Sequence, residues 1–308
     1  MRLLRIFGGE SHYRFMWLRR FSFAFSIILC LASLGLFGAV GMNLGIDFRG
    51  GTLIEIQTAE DPADLAEIRA QVNALGLGDV QVQEFGSTTD VLIRVEEQPG
   101  GERAQQLVVD LVRDALGEDV EYRRIEVVGP TVSDELVQSG TIAVVVAIMA
   151  VLIYIWVRFE WQYAIGAIIA TVHDVVLTIG MFALLQLEFN LSSIAAILTI
   201  VGYSLNDTVV VYDRIRELLR RYKAMPLPEL LDLSINQMLS RTAMTSITTL
   251  LALFSLYFFG GEVIQSFTFA MIWGVVVGTY SSIFIAAPIL IYLNLRAPKA
   301  PDAATGAA

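Results

Sequence analysis

One cysteine, Cys30, and two histidines, His12 and His173, are all that 308 residues contain of those types. They cannot assemble a zinc site of the Cys/His kind, and a single thiol forms no disulfide within the chain. Cys30 reads as a small apolar filler, and His12, among basic residues, has no specific role. Lysine is equally scarce. Neither Lys223 nor Lys299 follows a glycine, so the Gly-Lys of a Walker loop is missing and nucleotide hydrolysis by that route is excluded. Charge is sparse too: 17% of residues are charged against 55% hydrophobic, with a mean hydropathy of +0.62. That balance belongs to a membrane protein.

A bilayer crossing needs about 20 mostly apolar residues to cover roughly 30 Å of hydrocarbon. Six segments qualify: Phe21 to Met42, Ser139 to Val157, Trp161 to Leu185, Leu191 to Val211, Thr242 to Phe259, and Phe267 to Leu293. The first follows a basic start, as a signal peptide does. Its apolar run is longer than a typical signal core and no A-x-A site ends it, so an uncleaved helix is expected. Arg2, Arg5, Arg14, Arg19 and Arg20 precede it, and Arg158 lies between the second and third spans. Arg214, Arg216, Arg220, Arg221 and Lys223 follow the fourth span, and Arg296 and Lys299 the sixth. By the positive-inside rule these flanks are cytoplasmic, both termini included. The turns near Glu188 and Glu262, free of Lys and Arg, then fall on the opposite side.

The formal net charge of −10 is concentrated in one insert, from Asn43 to Glu135, which reads as a separate soluble domain. Thr52 to Thr58 alternates as a strand, Pro62 to Leu75 has helical spacing, and Val80 to Phe85 alternates again. Gly86 to Asp90 reads as a turn, Val91 to Glu96 as a strand, Glu102 to Leu116 as a helix and Val120 to Val128 as a last strand. The order is βαββαβ, the ferredoxin-like arrangement, so the fold expected is an α-helical membrane protein of six spans with a small α+β domain between the first and second. The expected boundaries are 1–20 for the N-terminal segment, 21–42 for the first span, 43–135 for the domain, 139–293 for spans two to six, and 294–308 for an Ala/Pro-rich tail expected to be disordered. The fold identifies no function, and the acidic surface argues against nucleic acid.

The chemistry must therefore rest on polar groups inside the spans. Asp207 lies in the fourth span, between Asn206 and Thr208 and about 8 Å to the cytoplasmic side of its centre by helical rise. A carboxyl group there is a candidate proton relay; the plain alternative is a protonated Asp that donates a packing hydrogen bond. In the third span Thr171, Asp174 and Thr178 share one helical face, with His173 beside them, as part of a relay or as a structural hydrogen-bond cluster. Arg241 opens the fifth span, and Thr245 with Thr248 or Thr249 continues its face as a polar stripe. It is either a counter-charge for Asp207 or an anchor that snorkels to the surface. Gly274 and Gly278 form a GxxxG pair suited to close helix contact.

Several motifs together resemble a known family. They are Gly45-Ile-Asp47-Phe48-Arg-Gly50-Gly51-Thr52, His173-Asp174, Val201-Gly-Tyr-Ser-Leu-Asn206-Asp207-Thr208 with Asp213-Arg-Ile-Arg-Glu217, and Ser240-Arg241-Thr242. These are similar to SecF, of the SecD/SecF family within the RND superfamily, over about Arg14 to Leu295. The resemblance implies a subunit of the Sec translocase accessory complex in the bacterial inner membrane, pairing with SecD and associating with the SecYEG channel, with YajC as a further partner. It implies that exported unfolded polypeptides are pulled outward at the expense of the proton-motive force, with no cofactor. It places the soluble domain in the periplasm and assigns functional roles to Asp207 and Arg241. Gly50 and Gly51 would permit a tight reversal where the first span meets the domain.

Other readings make distinct demands. An intramembrane aspartyl protease would pair Asp174 with Asp207, or use Tyr212-Asp213, but its GxGD sequence is missing. A serine route through Ser204 and His173 lacks the GxSxG surroundings. Half of another RND-like proton-driven exporter, or a purely structural assembly subunit, remains open on the residues alone.

Overall fold

The computed structural model describes residues 12–117 and 120–295. The basic flanks Arg2, Arg5, Arg296 and Lys299, and the tail from residue 296, lie outside them. Helix α1 (Arg19–Ala39) leads through a short helix, α2 (Ile46–Arg49), into β1 (Gly51–Thr58), α3 (Leu65–Asn73), β2 (Val80–Phe85), β3 (Ser87–Val95), α4 (Glu102–Leu116) and β4 (Val120–Val128). Then come α5 (Pro130–Arg158), α6 (Trp161–Leu185), α7 (Leu191–Arg221), α8 (Leu227–Phe259) and α9 (Gln265–Ser281). Helix α9 passes through a π-helical stretch, Ser282–Ala286, into α10 (Ala287–Tyr292). Among the described residues six helices are long and apolar enough to cross a membrane, with α9 and α10 counting as one.

Three of them overrun the expected spans. Helix α5 starts nine residues before Ser139, α7 runs ten past Val211, and α8 starts fifteen before Thr242. Nothing in those flanks breaks a helix, so each helix runs on past the end of its apolar stretch. The polar start of α8 has its own task. Asp232 Oδ1 accepts from the Met16 amide at 2.8 Å, and Asn236 exchanges hydrogen bonds with the Tyr13 backbone at 2.9 and 2.8 Å. The segment before α1 is thereby tied to the start of α8, and Met16 is buried with Leu230, Leu231 and Ile235.

The domain is the expected four-stranded antiparallel sheet, in the order β2-β3-β1-β4. One face, with Ile54, Ile56, Val82 and Ile93, packs on Ile68 and Val72 of α3 and on Val108 and Val112 of α4. Alternation sends Leu53 and Leu92 to the other face, where they meet Ile46. Two expectations are corrected here. Helix α3 begins at Leu65, not Pro62, because the Asp64 carboxylate caps it by accepting from the Ala66 and Glu67 amides, both at 2.9 Å. Residues 87–90 are strand rather than turn: Gly86, at φ +79°, reverses the chain alone, Asp90 pairs with Gln57, and the Thr88 carbonyl accepts from the Ala63 amide at 2.8 Å.

The helices pack with small residues inward, as membrane helices do. In α1 the buried positions are Ser22, Ser26 and Ser33, whereas Phe21, Ile28 and Leu31 face outward. A Cβ on Gly180 of α6 would land on Ser33, so that glycine sets how closely α1 and α6 approach. Gly274 and Gly278 do the same for α9, against Ile200 and Ser204 of α7. Pro288 has no amide proton to give the Phe284 carbonyl four residues back; Ser22 Oγ lies 3.3 Å from that carbonyl and shares its one proton between it and the Arg19 carbonyl at 2.9 Å.

Candidate functional site

Two carboxyl clusters occupy the helix bundle. The first centres on Asp174 of α6, which is fully buried. Its Oδ2 accepts from Ser204 Oγ of α7 at 2.5 Å and from Ser281 Oγ of α9 at 2.8 Å, and its Oδ1 contacts His173 Nδ1 at 2.9 Å. Three helices therefore converge on one carboxyl group. Thr178 returns its hydroxyl to the Asp174 carbonyl at 2.8 Å, while the buried Thr171 hydroxyl and His173 Nε2 have no hydrogen-bond partner among the described residues.

The second cluster lies one helical turn along α7, at Asp207. It is partly buried and accepts from Thr242 Oγ1 of α8 at 2.8 Å and from Ser282 Oγ at 2.5 Å. A second polar rung lies one turn further: Tyr203 OH donates to Ser246 Oγ at 3.2 Å, which meets Thr279 Oγ1 at 2.7 Å. Asp207 with Tyr203, Thr242 with Ser246, and Ser282 with Thr279 are each three or four residues apart, so both rungs lie where α7, α8 and α9 meet.

This geometry differs from the expected stripe. Arg241 is exposed, and among the described residues no ion pair within 4.0 Å joins it to a carboxylate. Thr245, Thr248 and Thr249 return their hydroxyls to carbonyls of their own helix. The reason is one of phase. Leu231, Ile235, Thr242 and Ser246 set the buried face of α8, and Arg241 sits about 100° round from Thr242. Asn206 is exposed likewise, and Thr208 is buried with its hydroxyl unpartnered. Ser281 and Ser282 were not singled out in the sequence. Their signal is the run Thr279-Tyr-Ser-Ser282 in the middle of an apolar span, at the start of the π-helical stretch.

Neither protease reading finds its geometry. No hydrogen bond joins Asp174 to Asp207, each being held by its own hydroxyls. A nucleophilic serine needs the imidazole between it and the acid, but here the Asp174 carboxyl lies between Ser204 and His173.

The glycine-rich segment after α1 forms a joint with the turn between α6 and α7. The Gly45 amide donates to the Phe189 carbonyl and the Phe189 amide to the Asn43 carbonyl, both at 2.8 Å, and Phe48 stacks on Phe189. Asp47 Oδ2 accepts from the Leu191 amide at 2.8 Å, holding the first turn of α7, where a carboxylate also complements the helix dipole. Gly50 and Gly51 adopt φ of +69° and +114°, and a Cβ on Gly51 would meet the Val95 carbonyl, so the expected reversal is present. From β3, Arg94 reaches Glu188 at 3.0 Å, Asn43 Oδ1 at 3.1 Å and the Leu44 carbonyl at 3.2 Å. Domain, first span and the start of the Asp207 helix are thus tied at one place.

Burial pushes the Glu188 carboxyl above its ordinary 4.5; Arg94 and Arg124 pull it down, and Asp47 and Glu126 push it up. With the folded value above the unfolded one, its contribution is complete below about 4.5 and is lost as pH rises through the folded value. Acidification from pH 7 should therefore raise the thermal midpoint of the full chain relative to Glu188→Gln. Parallel pH curves for the two proteins would contradict this.

Comparison with known proteins places the chain. The SecD/SecF GG motif profile matches residues 35–61, and the profile described as protein export membrane protein SecD/SecF, C-terminal, matches residues 108–296, more than half the chain. The chain belongs to the SecD/SecF family. It is 46% identical over 303 residues to the protein translocase subunit SecF of Rickettsia rickettsii, covering 96% of this chain and 97% of that one. It is 45% identical over 302 residues to the protein translocase subunit SecDF of Brucella abortus, covering 98% of this chain and 40% of that protein. The crystal structure of SecDF, a translocon-associated membrane protein from Thermus thermophilus, matches with a TM-score of 0.84 at 34% identity, over 93% of this chain and 39% of that one. The chain thus spans about two fifths of these SecDF proteins and nearly all of the SecF relative.

Protein export by a multi-pass membrane subunit is the SecD/SecF role, and six apolar helices suit it. The GG profile coincides with the joint, and the C-terminal profile takes in both carboxyl clusters.

Proposed function

We propose that this chain is the SecF-type half of a proton-driven export device in the bacterial inner membrane. Its termini are cytoplasmic and residues 43–135 form a periplasmic domain. It pairs with a SecD-type half, acts with the SecYEG channel on unfolded polypeptides, and draws on the proton gradient with no resident cofactor. Relatives that carry both halves in one SecDF chain support the pairing. So does the outer surface of this half, where Asn206, Arg241, Thr245 and Thr248 stand exposed at the depth of apolar spans.

The observation that carries the proton role is the hydroxyl arrangement. A serine hydroxyl has one proton. Ser282 Oγ has two acceptors within reach, Asp207 Oδ2 at 2.5 Å and the Thr279 carbonyl at 3.0 Å. When Asp207 is ionised, Ser282 donates to it; when Asp207 is protonated, it donates to Ser282, which turns to Thr279. Both states are satisfied without moving a helix. Ser281 has the same choice between Asp174 at 2.8 Å and the Gly278 carbonyl at 3.2 Å. The adjacent serines extend the path from Asp207 toward Asp174 and His173. Arg241 is the counter-charge that approaches Asp207 in one conformation and withdraws in the other, and its lack of an ion pair among the described residues fits the withdrawn arrangement.

Proton occupancy at Asp207 biases two arrangements of the paired halves. Because Asp47 holds the other end of α7, a shift of that helix is transmitted to the domain. The test is export into energised vesicles containing both halves, with an ionophore control. Ser282→Ala removes one hydrogen bond to a charged group, worth about 1.5–3 kcal/mol, and should slow the ionophore-sensitive component about tenfold or more. An unchanged component would remove Ser282 from the path.

A further inference from the structure

Charge gathers at one place outside the site. The end of α5 carries Arg158, and the end of α7 beside it carries Arg216, Arg220 and Arg221. With Asp213 and Glu217 they line an open cleft of about 440 Å³. Four arginines against two carboxylates leave +2 locally, in a chain whose formal net charge is −10. The two acids are already engaged. Asp213 lies 3.5 Å from Arg158, and Glu217 is bonded by Arg214, which stands outside the cleft. Arg216, Arg220 and Arg221 make no ion pair within 4.0 Å among the described residues; Arg221 lies over the Tyr222 ring.

Like charges one helical turn apart, as at Arg216 and Arg220, repel, and the two carboxylates of the cleft, each engaged by another arginine, leave that repulsion only partly offset. The cleft therefore presents guanidinium donors to something outside the chain. Its depth in the membrane is marked independently. Trp156 and Trp161, two and three residues from Arg158, are 62% and 51% exposed, and Tyr154 is 59% exposed. Exposed Trp and Tyr at the end of an apolar span mark the headgroup level of a bilayer.

We infer that this cleft is a binding site for the headgroup of an anionic phospholipid. Guanidinium groups grip phosphate oxygens in bidentate fashion, and basic clefts between membrane helices at this level take anionic headgroups. The net local charge selects a lipid with net negative charge over a zwitterionic one, whose own cation would meet the arginines. This site rests on the membrane-spanning architecture alone and not on the proton path or the pairing with a second half.

The experiment is lipid retention by the full chain, purified from nanodiscs of equal parts phosphatidylglycerol and phosphatidylcholine and measured by native mass spectrometry. The wild-type chain should retain phosphatidylglycerol about tenfold over phosphatidylcholine or more. The double variant Arg216→Gln/Arg220→Gln should bring the ratio near one, and Arg216→Lys/Arg220→Lys should fall between, since the charge is kept and the planar fork lost. Arg69→Gln, in the soluble domain, serves as the control with no change. Parity in the wild type, or a ratio unmoved by the double Gln variant, overturns the site. Displacement of the lipid by millimolar glycerol phosphate overturns the lipid assignment in favour of a soluble phosphate. So does cleft-dependent binding of a short RNA with lipid retention unmoved, in favour of nucleic acid.

Discussion

Asp207→Asn is expected to remove the proton-driven part of export, about fiftyfold at a membrane potential of 100 mV, while the protein folds and assembles. The magnitude follows from the energy released when one charge crosses that potential, about 2.3 kcal/mol. The separation of function from folding follows from the contacts. An asparagine keeps the shape and an oxygen for Thr242, and its amide still meets Ser282 within the same reach. What it lacks is a proton to release. The measurement is ionophore-sensitive export into vesicles, normalised to the amount of assembled complex. Proton-dependent export at the wild-type rate, with full assembly, would falsify the relay.

Asp174→Ala should act differently, on the protein itself. Ser204, Ser281 and His173 all turn to this one buried carboxyl where α6, α7 and α9 meet, and its loss leaves the His173 ring nitrogen without its partner, Ser204 with only the Ser281 hydroxyl at 3.4 Å and Ser281 with the Gly278 carbonyl of its own helix. Leaving a buried polar group without its partner costs about 1–3 kcal/mol. Such a loss should deplete the protein from the membrane and lower the thermal midpoint of what remains. Asp174→Asn retains one oxygen acceptor and should lose much less. If Asp174→Ala instead accumulates normally with an unchanged midpoint, the cluster is not what joins the three helices. Full stability of Asp174→Asn with loss of ionophore-sensitive export would place Asp174 on the proton path as well as in the joint.

The two carboxyl groups were visible in the sequence because ionisable residues in an apolar run stand out wherever the helix points. Their partners were not. Thr242 and Ser282 are among many hydroxyl residues in the spans, and hydroxyls satisfied by their own helix, like those of Thr245 and Thr248, have the same composition as hydroxyls aimed at a carboxylate. A helix phase is also hard to read when lipid-facing and core-facing residues are equally apolar, so the exposed side of α8 on which Arg241 stands was not legible. In the soluble domain the opposite holds. Water on one side and core on the other impose alternation, and the four strands and two helices were legible from it, except where Asp64 and Gly86 shifted an end.

The amino-acid order alone was enough for the number of membrane-capable helices, the βαββαβ insert and the presence of acids within apolar helices. All of these follow from local composition and short-range periodicity, which the solvent and the bilayer read directly. Contacts between residues far apart in the chain required the assembled bundle. Asp47 on the first turn of α7, Arg94 on Glu188, Ser281 and Ser282 each on a different carboxyl, and arginines from two helices in one cleft depend on helix rotation and close approach. Those are settled by small residues such as Gly180 and Gly278, and by which buried polar groups find one another, a condition on the whole packed structure that no local stretch of chain encodes.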